Sequence, residues 1–227
     1  MDWIHEYQLF LFDLDGLLVN TEELHFRAYK NMLLARGFEL PWNFNRYCRT
    51  AHYHADKIGD EFYELFPELQ TQEASWPVLY AEKKQAMINL VNTGEVQLMP
   101  GVIELLQALQ DAQIKRCVVT HSPDELVEPI REFQPILNTI PYWITRTDYS
   151  QPKPRSECYI TSIEKYAKPG EKVIGFEDTP RGLRALLGTT ATPILITSID
   201  YPEIPDFIRQ GVKHFTSFKQ VLKDNLS

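Results

Sequence analysis

The sequence predicts an α/β fold: a doubly wound parallel sheet carrying an inserted, small α-helical domain. Three observations predict it. Leu9–Phe12 is apolar at every position and is followed at once by Asp13, Asp15 and Gly16, the pattern of a parallel strand buried on both faces that ends at a polar sheet edge. Similar short runs recur at 116–120, 142–145, 172–176, 194–197 and 214–217, with segments of helical pattern between them, as a doubly wound sheet requires. Residues 38–92 show no strand alternation. They are rich in aromatic and charged residues, and Pro41, Pro67 and Pro77 divide them into pieces of helical length. The expected organisation is therefore a core domain made of 1–18 and 93–227, with a helical domain over 19–92.

Composition narrows the class. The chain has 227 residues, 44% of them hydrophobic and 24% charged, with a net charge of −8, which is ordinary for a soluble globular protein. The acidic balance argues against non-specific nucleic-acid binding, since a phosphate backbone needs a basic face. No window approaches the roughly 18 apolar residues of a membrane span, and the early acids Asp2 and Glu6 do not fit a signal peptide. Cys48, Cys117 and Cys158 lack metal-ligand spacing and read as reduced thiols. The expectation is a cytoplasmic monomer that binds neither nucleic acid nor membrane.

Taken in order, the elements place polar groups at strand ends. Asp13 and Asp15 sit two apart, so both can face one way while Leu14 turns to the core. Two such acids repel and call for a shared proton or a hard cation such as magnesium. Thr21 caps the next helix, with Glu22 and Glu23 in its first turn and Leu24, Ala28, Met32 and Ala35 along one stripe. His25 lies early on this helix, where packing or a hinge is the default role. In the helical stretch, Arg46, Arg49, His52, His54 and Lys57 form a basic cluster that reads as a solvated face, or as a face on which Arg46 or Arg49 reads a substrate. Pro100 and Gly101 open a helix carrying Val102, Leu105, Leu106 and Leu109. The following strand ends in Thr120-His121-Ser122, and Pro123 and Asp124 start another helix. After the third strand comes Lys153, held between two prolines, then a helix over 156–168. The fourth strand ends in Glu177-Asp178, with Thr179 as cap and Pro180 at the first helical position of the next helix. Successive strands thus end in an acid pair, a hydroxyl, a lysine after a loop, and a second acid pair. Together they compose a site for a cation and a phosphoryl group.

On these residues the chain resembles the haloacid dehalogenase superfamily of phosphotransferases, in the subgroup with a helical cap inserted after the first strand. Asp13-Leu-Asp-Gly16, extended through Asn20-Thr21-Glu22 and His25-Phe-Arg-Ala, is similar to the first motif of β-phosphoglucomutase and its phosphatase relatives. Thr120-His-Ser122 matches the second motif. Lys153-Pro154, with Glu157 and Tyr159 beyond, matches the third, and Gly175-Phe-Glu-Asp-Thr-Pro-Arg-Gly182 the fourth. The resemblance implies that Asp13 is the nucleophile and Asp15 the general acid and base. It implies that Thr120 and Lys153 hold the transferring group, and that Mg2+ is bound by Asp13, the main-chain carbonyl of Asp15, Asp178 and, through water, Glu177. Thr120, His121, Ser122, Lys153, Arg49 and His25 are the candidate substrate-binding residues, Arg49 from the basic cluster of the helical stretch rather than from the resemblance. Departures stand at His121, where Asn or Ser is usual, at Arg155-Ser156, and in the cap segment Tyr47-Cys-Arg-Thr-Ala-His-Tyr-His54, where relatives carry a Gly-rich stretch.

The function this implies is a magnesium-dependent phosphatase acting on a small phosphorylated metabolite, a sugar phosphate or similar monoester. The alternative is a phosphohexomutase, which returns the phosphoryl group to a sugar and needs a second phosphate site, with Arg46, Arg49 and Lys57 as candidates. A dehalogenase needs neither Asp15 as an acid nor the acids Glu177 and Asp178.

Overall fold

The computed structural model describes residues 2–224 and residue 226, so Met1, Asn225 and Ser227, at the ends of the expected core segments, lie outside the described residues. The chain divides into two compact units, one made of Met1–Asn20 and Gln97–Ser227 and the other of Thr21–Val96.

The first unit is built on six parallel strands: β1 (Leu9–Phe12), β2 (Lys115–Val119), β3 (Tyr142–Ile144), β4 (Val173–Glu177), β5 (Thr192–Ile196) and β6 (Lys213–Phe215). Their order is β3-β2-β1-β4-β5-β6, which puts β1 in the middle, next to β2 and β4. All four residues of β1 are fully buried, which explains why its sequence does not alternate. The helices of this unit are α6 (Val102–Asp111), α7 (Asp124–Phe133), α8 (Glu157–Tyr166), α9 (Pro180–Leu187), α10 (Ile204–Arg209) and α11 (Phe218–Lys223). On one face Phe10 and Phe12 stack with Phe176, and Phe218 of α11 closes on Phe12 and Phe176. On the other, Leu9, Leu11, Cys117 and Val119 pack with Cys158 and Tyr159 of α8 and Ala185 and Leu186 of α9.

Register sets the site. Phe12 lies opposite Val118 on one side and Phe176 on the other. One residue further on, Asp13 is therefore level with Val119 and Glu177, and the Asp13 N–H still donates to the Phe176 carbonyl at 3.1 Å. The chain then turns sharply at Gly16, whose φ of 79° is a left-handed conformation that suits glycine. Segments 19–20 and 97–98 run side by side, with a Val19–Leu98 bridge and the Gln97 N–H donating to Asn20 Oδ1 at 2.7 Å.

The second unit is helical: α1 (Thr21–Ala35), α2 (Phe44–Tyr53), α3 (Ile58–Leu65), α4 (Pro67–Gln72) and α5 (Trp76–Asn92). Helices α1 and α5 are packed together most extensively. Tyr29 stacks on Trp76 and meets Phe62 edge-on, and Trp42 and Tyr47 are buried with them. Of the aromatic residues that mark this segment in the sequence, Trp42, Tyr47 and Phe62 are buried in its core, whereas Tyr80 is exposed.

Some expected bounds shift. The helix expected over 156–168 is α8, shorter at both ends: Lys153 and its neighbours occupy a turn up to Ser156, and the backbone turns extended at Ala167. Strand β5 begins at Thr192, ahead of the expected 194, since Thr192 and Pro193 still pair with β4. Helix α10 has no counterpart in the sequence reading. The three cysteines are buried and unbonded to one another. Among the described residues no helix is long and apolar enough to cross a membrane.

Candidate active site

The carboxyl ends of β1, β2 and β4 converge on one cluster. Asp13, Lys153, Glu177 and Asp178 are each less than a tenth exposed. Lys153 is delivered by the loop between β3 and α8. Its Nζ donates to Asp13 Oδ1 at 2.5 Å, to Glu177 Oε1 at 2.7 Å and to the Val119 carbonyl at 2.9 Å, with the Tyr159 hydroxyl 3.2 Å away. That hydroxyl donates to the same Glu177 oxygen. Glu177 is confined further by Gly182 of α9, where any Cβ would run into the Glu177 carboxylate; the glycine lets the acid lie against the helix backbone.

Asp15 is held separately. Thr120 Oγ1 and Ser122 Oγ both donate to Asp15 Oδ2, at 3.0 and 2.7 Å, while the Ser122 N–H donates to Thr120 Oγ1 at 2.9 Å. Thr120 therefore does more than cap a turn: it ties the end of β2 to the second acid of the first motif. His121, between the two hydroxyl residues, bonds through Nδ1 to the Tyr149 hydroxyl at 3.0 Å.

The electrostatics of the cluster are those of surplus negative charge. Burial pushes the Asp13 carboxyl up to about 7; Lys153 opposes this, and Glu177 and Asp15 add to it. Burial disfavours the Lys153 ammonium, yet Asp13 and Glu177 outweigh it and hold its pKa well above the ordinary lysine value. Asp13, Glu177 and Asp178 bring oxygen atoms within 4.8 Å of one another, and Lys153 is the ammonium that Asp13 and Glu177 share. Three buried carboxylates around a single ammonium, all offering hard oxygen donors, fit a small divalent cation.

A family model, haloacid dehalogenase-like hydrolase, matches residues 10–189, which spans every strand end described above except those of β5 and β6. The chain belongs to the haloacid dehalogenase-like hydrolases. Protein CbbY of Rhodobacter capsulatus is 23% identical over 214 residues, covering 89% of this chain and 90% of that protein. A phosphorylated carbohydrates phosphatase of Thermotoga maritima is 26% identical over 176 residues, covering 77% of this chain and 78% of its own. Among solved structures, CbbY from Rhodobacter sphaeroides in complex with phosphate superposes with a TM-score of 0.65 at 21% identity, over 95% of this chain and 96% of that one; a likeness at that identity speaks for the fold.

Among the residues singled out from the sequence, Asp13, Asp15, Thr120, His121, Ser122, Lys153, Glu177 and Asp178 all belong to the first unit, at the carboxyl edge of the sheet in this haloacid dehalogenase-like core. His25 and Arg49 belong to the helical unit. There Lys83 Nζ meets His25 Nδ1 at 2.8 Å, so His25 has a polar partner, and Arg49 is exposed. His52 pairs with Glu22 at 3.5 Å and Arg46 with Glu61 at 3.6 Å. Lys83, Tyr149 and the role of Tyr159 were not apparent from the sequence. Tyr159 carried a signal, its place beyond Lys153 in the third motif; Lys83 and Tyr149 carried none, since a lysine in a charged helix and a tyrosine in a polar loop are unremarkable.

Proposed function

We propose that the chain is a magnesium-dependent phosphatase that hydrolyses a small phosphorylated metabolite, a sugar phosphate or similar monoester, through an aspartyl phosphate on Asp13. The observation that carries this reading is the division of labour between two acids: Asp13 is bound to a buried ammonium, whereas Asp15, two residues on, is bound to two hydroxyls.

Phosphoryl transfer asks for positioning and charge neutralisation. Asp13, at the end of the fully buried strand β1, attacks phosphorus, and the ester oxygen leaves. Lys153 neutralises charge on Asp13 and on the phosphoryl oxygens. Asp15 gives its proton to the leaving oxygen, then takes one from the water that hydrolyses the acyl phosphate; Thr120 and Ser122 orient it for both tasks. Asp13, Asp178, the Asp15 carbonyl and, through water, Glu177 would hold Mg2+. When bound, the cation supplies a Lewis acid that draws charge from the transferring oxygens. Glu177 also positions Lys153, since its Oε1 is engaged by that ammonium and by Tyr159. The names of the relatives, CbbY and a phosphorylated carbohydrates phosphatase, support a phosphorylated carbohydrate as the substrate class.

The test is phosphate release by the purified protein from sugar phosphates, phosphoglycolate, nucleoside monophosphates and a chromogenic ester, with Mg2+ and with chelator. Release that needs Mg2+ and favours one or two physiological esters is expected. No release from any ester in the presence of Mg2+ would overturn the reading.

A further inference from the structure

His121 is the residue at which the second motif departs from its usual form, and the structure surrounds it with an arrangement of its own. The Tyr149 hydroxyl lies 3.1 Å from the Thr120 carbonyl and 3.0 Å from His121 Nδ1. A phenol has one proton to give, and a carbonyl can only accept. The Tyr149 proton therefore goes to Thr120, and His121 Nδ1 must be the donor to the Tyr149 oxygen. Tyr149 is itself buried and held in place: the Arg146 guanidinium donates to its carbonyl at 2.8 Å and lies over its ring. With Nδ1 committed, Nε2 of a neutral imidazole is an acceptor, and among the described residues it has no hydrogen-bond partner. Burial, followed by the nearby Arg181, Arg146 and Lys153, holds the ring below the usual imidazole range, with Asp15 opposing. Its place in the chain is between Thr120 and Ser122, which both bind Asp15.

We propose that His121 is a specificity-determining residue, locked by Tyr149 as the Nδ1–H tautomer so that Nε2 accepts a hydrogen bond from a hydroxyl of the phosphate ester. The ligand class it selects is a phosphate ester with a free hydroxyl near the ester carbon, a polyol or sugar phosphate. The proposal rests on the phosphatase reading for its substrate half only. A site built to accept from a hydroxyl discriminates against the analogue that lacks it.

Two measurements test it. Long-range 1H–15N correlation of the histidine rings at neutral pH, with His121 assigned by its absence in His121→Asn, should show a neutral Nδ1–H ring. Tyr149→Phe should move it toward the Nε2–H form. In turnover, the probes are glycerol 3-phosphate and n-propyl phosphate, which differ only by the two hydroxyls. The ratio of their kcat/KM values should fall about tenfold in His121→Leu. It should fall less in Tyr149→Phe, and His121→Asn, whose amide oxygen still accepts, should recover part of it. An Nε2–H or protonated ring in the wild type, or a ratio unmoved by His121→Leu, overturns the proposal. If the wild type hydrolyses no ester at all, the phosphatase reading falls and takes the substrate half with it, while the tautomer is still read without turnover.

Discussion

Asp13 and Lys153 show how a single pair sets the chemistry of the whole edge. A carboxylate buried to this degree is unstable alone, and here it has a second carboxylate, Glu177, on the same ammonium. Replacing Asp13 by Asn removes the proposed nucleophile and one of the crowded negative charges while keeping the side chain's shape. Turnover in Asp13→Asn should fall by at least roughly 10^4-fold, the scale seen when a covalent nucleophile is lost. The melting temperature should stay level or rise, because the Asn leaves one acid fewer around Lys153. Appreciable residual phosphatase activity in that variant would remove Asp13 from its role. At this scale the sequence was informative about place wherever that follows from a strand: Asp13, Thr120 and Glu177 stand at the ends of buried strands, and Lys153 follows one. It was silent wherever the role depends on a partner brought in from another part of the chain. His121 meets Tyr149 28 residues away and His25 meets Lys83 58 residues away. Neither contact leaves a periodic or compositional trace.

At the scale of the element, helix α1 carries its own ionic arrangement. Glu22 sits in its first turn, with His52 of α2 as partner. Burial alone would raise the Glu22 pKa, but the bond to His52 and the charges of His52, His25 and Lys83 carry it down to about 2 from an ordinary 4.5. Between those values the folded chain binds fewer protons than the unfolded chain. The stability due to Glu22 is therefore present above about pH 4.5 and is lost as the pH falls toward 2. Glu22→Gln should be less stable than the wild type at neutral pH, and the gap should close below pH 4.5, followed by thermal melts of the helical signal. A gap that is the same at pH 7 and pH 3 would show that the ionic pairing is not what stabilises α1. Strand and helix existence was legible here because β1 and β4 carry four-residue apolar runs, β2 ends in the apolar Cys117–Val119 and α6 has an apolar stripe. Helix α10 escaped because only Phe207 of its six residues is buried, too little to make a pattern. The start of β5 escaped because Thr192 and Pro193 look like a turn.

At the scale of the molecule, the two units have separate cores, and the acid cluster belongs entirely to the α/β one. A ligand that binds only the folded form stabilises it by mass action. Mg2+ at a hundred times its Kd should add about 2.7 kcal/mol and raise the melting temperature by roughly 5–10 °C. Asp178→Asn should abolish most of that rise. A shift that persists in Asp178→Asn would place the cation elsewhere, and no shift at all would argue against a magnesium site in the free protein. The sheet order itself was beyond sequence reasoning, because the apolar runs of β1, β2 and β4 are alike and nothing in them states which is central.

The central position of β1 has a consequence during synthesis. Leu9 pairs with Lys115 on one side and Val173 on the other. At about 5–20 residues per second a ribosome delivers residue 173 on the order of ten to thirty seconds after residue 9. Until residues 115–118 emerge, Leu9–Phe12, the most apolar strand, has neither neighbour to pair with, and from then until residue 173 it has only one, whereas residues 21–96 are consecutive and can complete their bundle early. The nascent chain thus carries a sticky ribbon, first unpaired and then paired along one edge only, ahead of a helical segment whose residues are all present, and Asp13 at its end meets Glu177 and Asp178 only after they too have emerged.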